Sequence, residues 1–184
     1  MKRRTGLATV FALALAALSV TILEAQKPAE TATAKEAVLK APEVGGKLFP
    51  DRVFFRGQVT TVQARNSAGV RYPDEFLVLA ALVDSSGYAS GLKEKYQGYL
   101  LTEVPIEIGG KTLKPGAYGF GFLDGNKFVV MDLGANDVLA ASSTKDTEIT
   151  RPVPLQVIAA KESSHYRLYK GRDCVEFFRS ASPQ

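Results

Sequence analysis

The side chains available for chemistry in this 184-residue chain are few. Its single histidine, His165, lies in Glu162-Ser-Ser-His-Tyr166. One imidazole allows one conventional base and removes histidine-rich zinc and copper sites. The hydrophilic surroundings predict a surface turn between two strands. The single cysteine, Cys174, alternates with Val175 and Phe177 in Arg172-Asp-Cys-Val-Glu-Phe-Phe178. With Val175, Phe177 and Arg179 on one face, the thiol falls on the other beside Glu176 and Phe178. No second cysteine can resolve it, so a filler in a strand is expected rather than a nucleophile. Serines are plentiful, but no Gly-x-Ser-x-Gly elbow presents one to a base.

Carboxylates remain. Asp132, Asp137 and Glu103 are the candidates for paired acid/base work, provided two of them meet in a cleft. Asp124-Gly-Asn126 and Asp132-Leu-Gly-Ala-Asn-Asp137 carry oxygen donors at loop spacing. Neither matches a twelve-residue calcium loop with its closing glutamate, and turn chemistry explains Asp, Gly and Asn equally well. No metal and no cofactor are expected.

The stretch Leu113-Lys-Pro-Gly-Ala-Tyr-Gly-Phe-Gly-Phe-Leu-Asp-Gly-Asn126 looks at first like a phosphate loop. Such a loop needs its glycines between a strand and a helix N-terminus. Here the glycines alternate with aromatics, as they do inside a strand. Tyr118, Phe120 and Phe122 share one face, expected to be the core; Ala117, Gly119, Gly121 and Leu123 share the other. A two-residue turn at 124–125 or 125–126 predicts that Val129 and Met131 lie beside the aromatics, and Phe128, Val130 and Asp132 beside the glycines. The glycine face then is either covered by Phe128 or left as a shallow groove with Asp132 at its rim.

Gly110-Lys-Thr-Leu-Lys-Pro-Gly-Ala-Tyr118, followed by a strand, a tight turn and a second strand, resembles a hairpin of several secreted bacterial β-rich proteins of unknown function, written G-x-x-L-x-x-G-x-Y. The match covers about 25 residues. It implies an exported β protein and no activity.

The remaining candidates are aromatic. Tyr88, Tyr96 and Tyr99 cluster in and after a polar excursion that also carries Lys93 and Lys95. Loops over a rigid sheet are where binding usually resides. The expected ligand-binding set is Tyr88, Lys95, Tyr96 and Tyr99 on the loop, with Gly119, Gly121 and Asp132 on the hairpin. The chain has no tryptophan to form a sugar platform. Tyrosines that simply pack over the end of the sheet are the alternative.

These residues must be positioned by β structure. About ten short apolar or alternating segments follow one another from Leu48 at close spacing, with no sustained helical period. The fold class expected is mainly β, a single antiparallel sandwich or barrel-like domain over residues 48–184, with one short helix at most, near Leu92 to Tyr96. Phe76 to Asp84 is apolar on both faces and reads as a buried strand, with a short helix as the alternative. Asn66-Ser-Ala-Gly69 reads as a turn. The repeated triplet Phe-Phe-Arg, at 54–56 and 177–179, would suit paired terminal strands.

Met1-Lys-Arg-Arg4 followed by the apolar run Gly6 to Leu23 reads as an export signal, cleaved after Ala25. An uncleaved inner-membrane anchor over residues 6–23 is the alternative, and would be the only membrane contact. Residues 26–47, with two prolines and mixed charge, read as a flexible linker. The chain carries 23 basic and 19 acidic residues and a net charge of +4. Three of the basic residues lie in the leader, so the exported remainder is nearly neutral and a nucleic-acid partner is excluded. One cysteine allows no internal disulfide, so a core must hold the fold.

The function expected from these observations is a non-catalytic binding or envelope-associated interaction module, periplasmic or extracellular. Its partner would be an envelope protein or a small extracellular ligand. The alternatives are a small secreted carboxylate-dependent hydrolase and a structural partner of another envelope protein acting through an exposed strand edge.

Overall fold

The computed structural model describes residues 35–181. The expected leader, residues 1–25, and the first part of the expected linker, 26–34, lie outside the described residues. In chain order the elements are β1 (Ala37–Leu39), one helical turn α1 (Ala41–Val44), β2 (Arg52–Phe55), β3 (Gln58–Arg71), β4 (Leu77–Val83) and α2 (Ser90–Lys95). They continue with β5 (Gly98–Thr102), β6 (Ile106–Ile108), β7 (Lys111–Leu113), β8 (Gly116–Leu123), β9 (Lys127–Met131) and β10 (Asp137–Ser142). Last come β11 (Thr144–Lys145), β12 (Gln156–Ala159), β13 (His165–Lys170) and β14 (Asp173–Arg179).

These strands form two antiparallel sheets. One runs β1-β3-β4-β5-β8-β9-β10, with β2 added to the first half of β3; the other runs β12-β13-β14-β6-β7, with β11 on β14. The fold is mainly β and has the character of a sandwich, as expected. Among the described residues no helix is long and apolar enough to cross a membrane.

The larger sheet is covered on both faces. Val78, Ala80, Leu82, Leu100, Phe120, Phe122, Phe128 and Val130 face the second sheet and meet Ile106, Leu168, Val175 and Phe177 in the main core. Leu79, Ala81, Val83, Tyr99 and Met131 point the other way, into a second core closed by Val44, Phe49, Val53, Phe55, Tyr88 and Tyr96. This explains why β4 reads Leu-Val-Leu-Ala-Ala-Leu-Val without alternation: neither parity of the strand meets water. It is a strand, as its length suggests.

Four expectations are corrected. Residues 37–47 are not linker: β1 pairs with β3, and Leu39 and Val44 are buried. The apolar residues in that stretch are few, but Leu39 and Val44 enter the second core and Val38 packs against the main one. Asn66 to Gly69 is not a turn, because β3 runs through it with an irregularity between Val62 and Ser67. Gly69 instead admits Leu79, whose side chain would stand 2.6 Å from an added Cβ. The Phe-Phe-Arg triplets lie in different sheets and do not pair.

The fourth correction concerns the β8–β9 hairpin. Leu123 pairs with Lys127, so the connection has three residues, Asp124-Gly125-Asn126. Gly125 and Asn126 take left-handed φ values of 75° and 57°. An odd loop length reverses the parity of a two-residue turn. Phe120 and Phe122 therefore stand beside Val130 and Phe128, while Gly119 and Gly121 stand beside Met131 and Val129. Phe128 lies in the main core and does not cover the glycines.

Candidate functional site

Of the residues expected to bind a ligand, the tyrosines, Lys95 and the two glycines come together, but as packing, while Asp132 stays in its own loop. α2 lies across the glycine side of β8. An added Cβ on Gly121 would stand 2.2 Å from the Lys95 carbonyl oxygen, and one on Gly119 would stand 2.6 Å from the Phe55 ring. The glycines let a helix end and an aromatic ring approach the sheet backbone. No groove remains there.

Phe55 and Tyr96 stack with centroids 3.8 Å apart and planes 11° from parallel, and Tyr88 meets Tyr96 edge-on at 5.2 Å. The Tyr88 hydroxyl donates to the Phe55 carbonyl at 2.9 Å, and the Tyr99 hydroxyl to the Phe54 carbonyl at 3.4 Å. The first ties the excursion to β2, and the second ties β5 to it. Tyr96 is fully buried, and its hydroxyl has no hydrogen-bond partner among the described residues.

Gln97 completes the fastening. Its Nε2 donates to the carbonyls of Glu94 (2.7 Å) and Phe122 (2.9 Å), and its Oε1 accepts the Phe122 N–H at 3.1 Å. One amide side chain thus continues the strand ladder of β8. Lys95 extends to both carboxylate oxygens of Asp137, at 3.1 and 2.9 Å.

Asp132 shapes its own loop. Its Oδ1 accepts the N–H groups of Gly134 and Asn136 at 2.9 Å, and the Asn136 side-chain amide reaches both oxygens. The Asn136 hydrogen bonds, side chain first, hold its carboxyl below the usual carboxylate range. Glu103, the third acid/base candidate, accepts the Leu77 N–H at 2.8 Å. Each carboxylate is committed to local structure.

Burial pushes up the pKa of all seven tyrosines, Tyr72, Tyr88, Tyr96, Tyr99, Tyr118, Tyr166 and Tyr169, the last to about 12. A group whose proton is held more tightly in the folded state stabilises the fold below its unfolded pKa, near 10 for tyrosine, and loses that contribution as pH rises. An alkaline titration followed at 295 nm should therefore show little tyrosinate while the protein is folded. Most of the absorbance should appear together with loss of far-UV circular dichroism above pH ~10. A gradual rise preceding unfolding would mean that the tyrosines are open to solvent.

A cleft opens onto the main core elsewhere, between the edges of the two sheets. Val38 and Leu39 of β1, Arg65 to Ala68 of β3 and Val153 to Val157 leading into β12 enclose a cleft of about 370 Å³. Ala68, Leu155 and Val157 form its floor and are themselves core residues. At its mouth stand Lys40 and Arg65, neither of which forms an ion pair among the described residues. No carboxylate is among the residues lining it. The volume is within the range of small-molecule sites, about 300–1,000 Å³. The sequence pattern does not reveal this cleft, because its third wall, residues 153–157, comes from more than 80 residues further along the chain than the other two, one of which reads as linker.

The class that these features define is a mainly β protein of two antiparallel sheets with a second core on the outer face of the larger sheet. No protein family, curated protein or solved structure matches the chain.

Proposed function

We propose that the protein is exported and works as a non-catalytic binding module, and that the cleft between β1, β3 and the approach to β12 is where it binds. The single observation that carries this reading is the make-up of that cleft: a floor of core residues, two cations at the mouth and no acidic lining residue. Such a site suits a ligand with an apolar body and a negative charge, either a small extracellular molecule or the corresponding segment of an envelope protein. Export is supported by the basic start and apolar run of residues 2–23. The separate structural commitments of Asp132, Asp137 and Glu103 favour binding over the hydrolase reading.

The test is thermal unfolding of the exported protein with medium-chain alkyl carboxylates, alkyl ammonium salts and neutral sugars. A carboxylate at about 100 times its dissociation constant should stabilise the fold by about 2.7 kcal/mol. That corresponds to a rise of roughly 5–11 °C in Tm for a domain of this size. The double variant K40E/R65E should fold normally and lose the shift. Equal shifts with alkyl ammonium salts, or an undiminished shift in the variant, would remove the cleft from consideration.

A second reading rests on β2 and β3. Phe54 and Val59 are cross-strand partners and are 52% and 54% exposed, an apolar pair on the outer face of the hairpin. Arg56 fixes this hairpin by bonding the carbonyls of Leu133 and Gly134. A rigid, apolar projection of this kind favours contact with another envelope protein.

A further inference from the structure

The geometry points to a surface site for a late first-row divalent cation such as zinc at His165 and Glu162, with Glu176 orienting the imidazole from behind. The site is independent of the cleft and of the binding role proposed for it.

His165 is not a turn residue; it opens β13 and pairs with Phe178 of β14. Its ring lies flat on the Phe178 ring, with centroids 4.2 Å apart and planes 20° from parallel. Glu176, two residues before Phe178, points to the same outer face. Its Oε2 accepts the Arg167 Nε–H at 3.0 Å, and its Oε1 stands 3.1 Å from His165 Nδ1. With Arg167 donating to Oε2, the Glu176 carboxylate offers its Oε1 to the ring as an acceptor. Nδ1 must then carry the proton it donates.

This fixes the other nitrogen. In a neutral ring whose Nδ1 is protonated, Nε2 presents a lone pair. Opposite it, 3.7 Å away, is Oε1 of Glu162, also an acceptor. A second ring proton would satisfy this pair as an ion pair, and a metal ion would satisfy it as a ligand pair; the ligand atoms of Glu162, His165 and Glu176 all lie within 4.8 Å of one another. Zinc bound by nitrogen and oxygen at about 2.0–2.1 Å in a tetrahedron places its ligand atoms about 3.4 Å apart. The observed separation needs only a few tenths of an ångström of closure by Glu162, whose side chain is 73% exposed and free to move.

The surroundings hold the pair in place. The His165 N–H donates to the Glu162 carbonyl at 3.3 Å and the Ala160 N–H to the His165 carbonyl at 2.8 Å, closing the connection between β12 and β13. Ser164, with a left-handed φ of 59°, donates to Glu36 at 3.0 Å. A carboxylate on the far nitrogen of a metal-binding histidine is the usual outer partner; it sets the tautomer and raises ligand basicity. Imidazole with carboxylate selects zinc, copper or nickel over calcium and magnesium. Two protein donors leave the remaining positions to water or to a donor from a bound partner. The outer carboxylate is the part the sequence hides: Glu162-x-x-His165 is visible as a spacing, whereas Glu176 joins it only through the β13–β14 register.

The test is a zinc titration of the full chain after chelator treatment, read by calorimetry and by the imidazole ¹⁵N resonances of His165. One zinc ion per chain should bind and shift the Nε2 resonance, while calcium and magnesium leave it unmoved. H165A should abolish binding with an unchanged Tm in chelator. E162Q should weaken it at least tenfold, and E176Q by about 10–100-fold, the usual loss for an outer partner. The proposal is overturned if zinc binding survives in H165A. It is also overturned if the His165 imidazole only titrates with pH as part of an ion-pair network and does not respond to zinc.

Discussion

Replacing Phe55 by alanine is expected to cost about 3–5 kcal/mol of folding stability, the usual loss for a buried aromatic ring. Phe55 is fully buried, stacks on Tyr96, and covers the bare backbone of Gly119. The ring therefore fills space that a side chain on β8 would otherwise claim. Gly119→Ala alone should cost about 2 kcal/mol, because its Cβ would press on Phe55 and Tyr96. In the Phe55→Ala background the same change should cost close to nothing, since the new methyl enters the space the ring has left. Urea unfolding of the four proteins would reveal a coupling of about 2 kcal/mol. Additive losses would mean that glycine and ring do not share one volume.

Gly121→Ala is the more damaging glycine substitution. Its Cβ would meet the backbone of Lys95, with the carbonyl oxygen at 2.2 Å and the carbon at 2.9 Å, and no rotamer change relieves that contact. The end of α2 would have to lift from the sheet. That movement strains the Gln97 amide that bridges Glu94 and Phe122, and separates Lys95 from Asp137. A loss of about 3 kcal/mol is expected, at the upper end for overpacking, which corresponds to a fall in Tm of roughly 6–12 °C. Hydrogen exchange at Tyr96 and Gln97 should accelerate more than exchange in β13 and β14, because the damage is local to the second core. Uniform acceleration in both sheets would contradict a separately packed outer layer.

These results would complete the account of why the chain concentrates glycine and tyrosine where it does. Sequence pattern was enough to find most strands, since alternation in β2 and β8 and the doubly apolar run of β4 each have a direct physical meaning. It also singles out Tyr88, Lys95, Tyr96 and Tyr99 on the loop and Gly119, Gly121 and Asp132 on the hairpin, as a ligand site. It could not tell a lined site from a filled one, because that depends on Phe55, which arrives from a hairpin more than 60 residues earlier in the chain than β8. The β8–β9 register was misjudged through one loop residue, Asn126, whose left-handed backbone makes a three-residue connection possible. Val44 was lost for a different reason: a lone apolar residue in an Ala, Lys and Pro stretch carries no periodic signal, yet it is fully buried against the outer face of the sheet.

Both faces of the larger sheet are occupied by packed side chains, so the proposed ligand would reach this sheet only at an edge. The β1 and β12 edges flank the cleft at Lys40 and Arg65. The most direct measurement is an amide NMR titration of the protein with a medium-chain alkyl carboxylate. Saturable shifts are predicted at Val38, Lys40, Arg65, Ala68 and Val157, with the signals of Tyr88, Tyr96 and Gly121 unmoved. Shifts centred on the tyrosine and glycine cluster, or none at the cleft residues, would contradict the account.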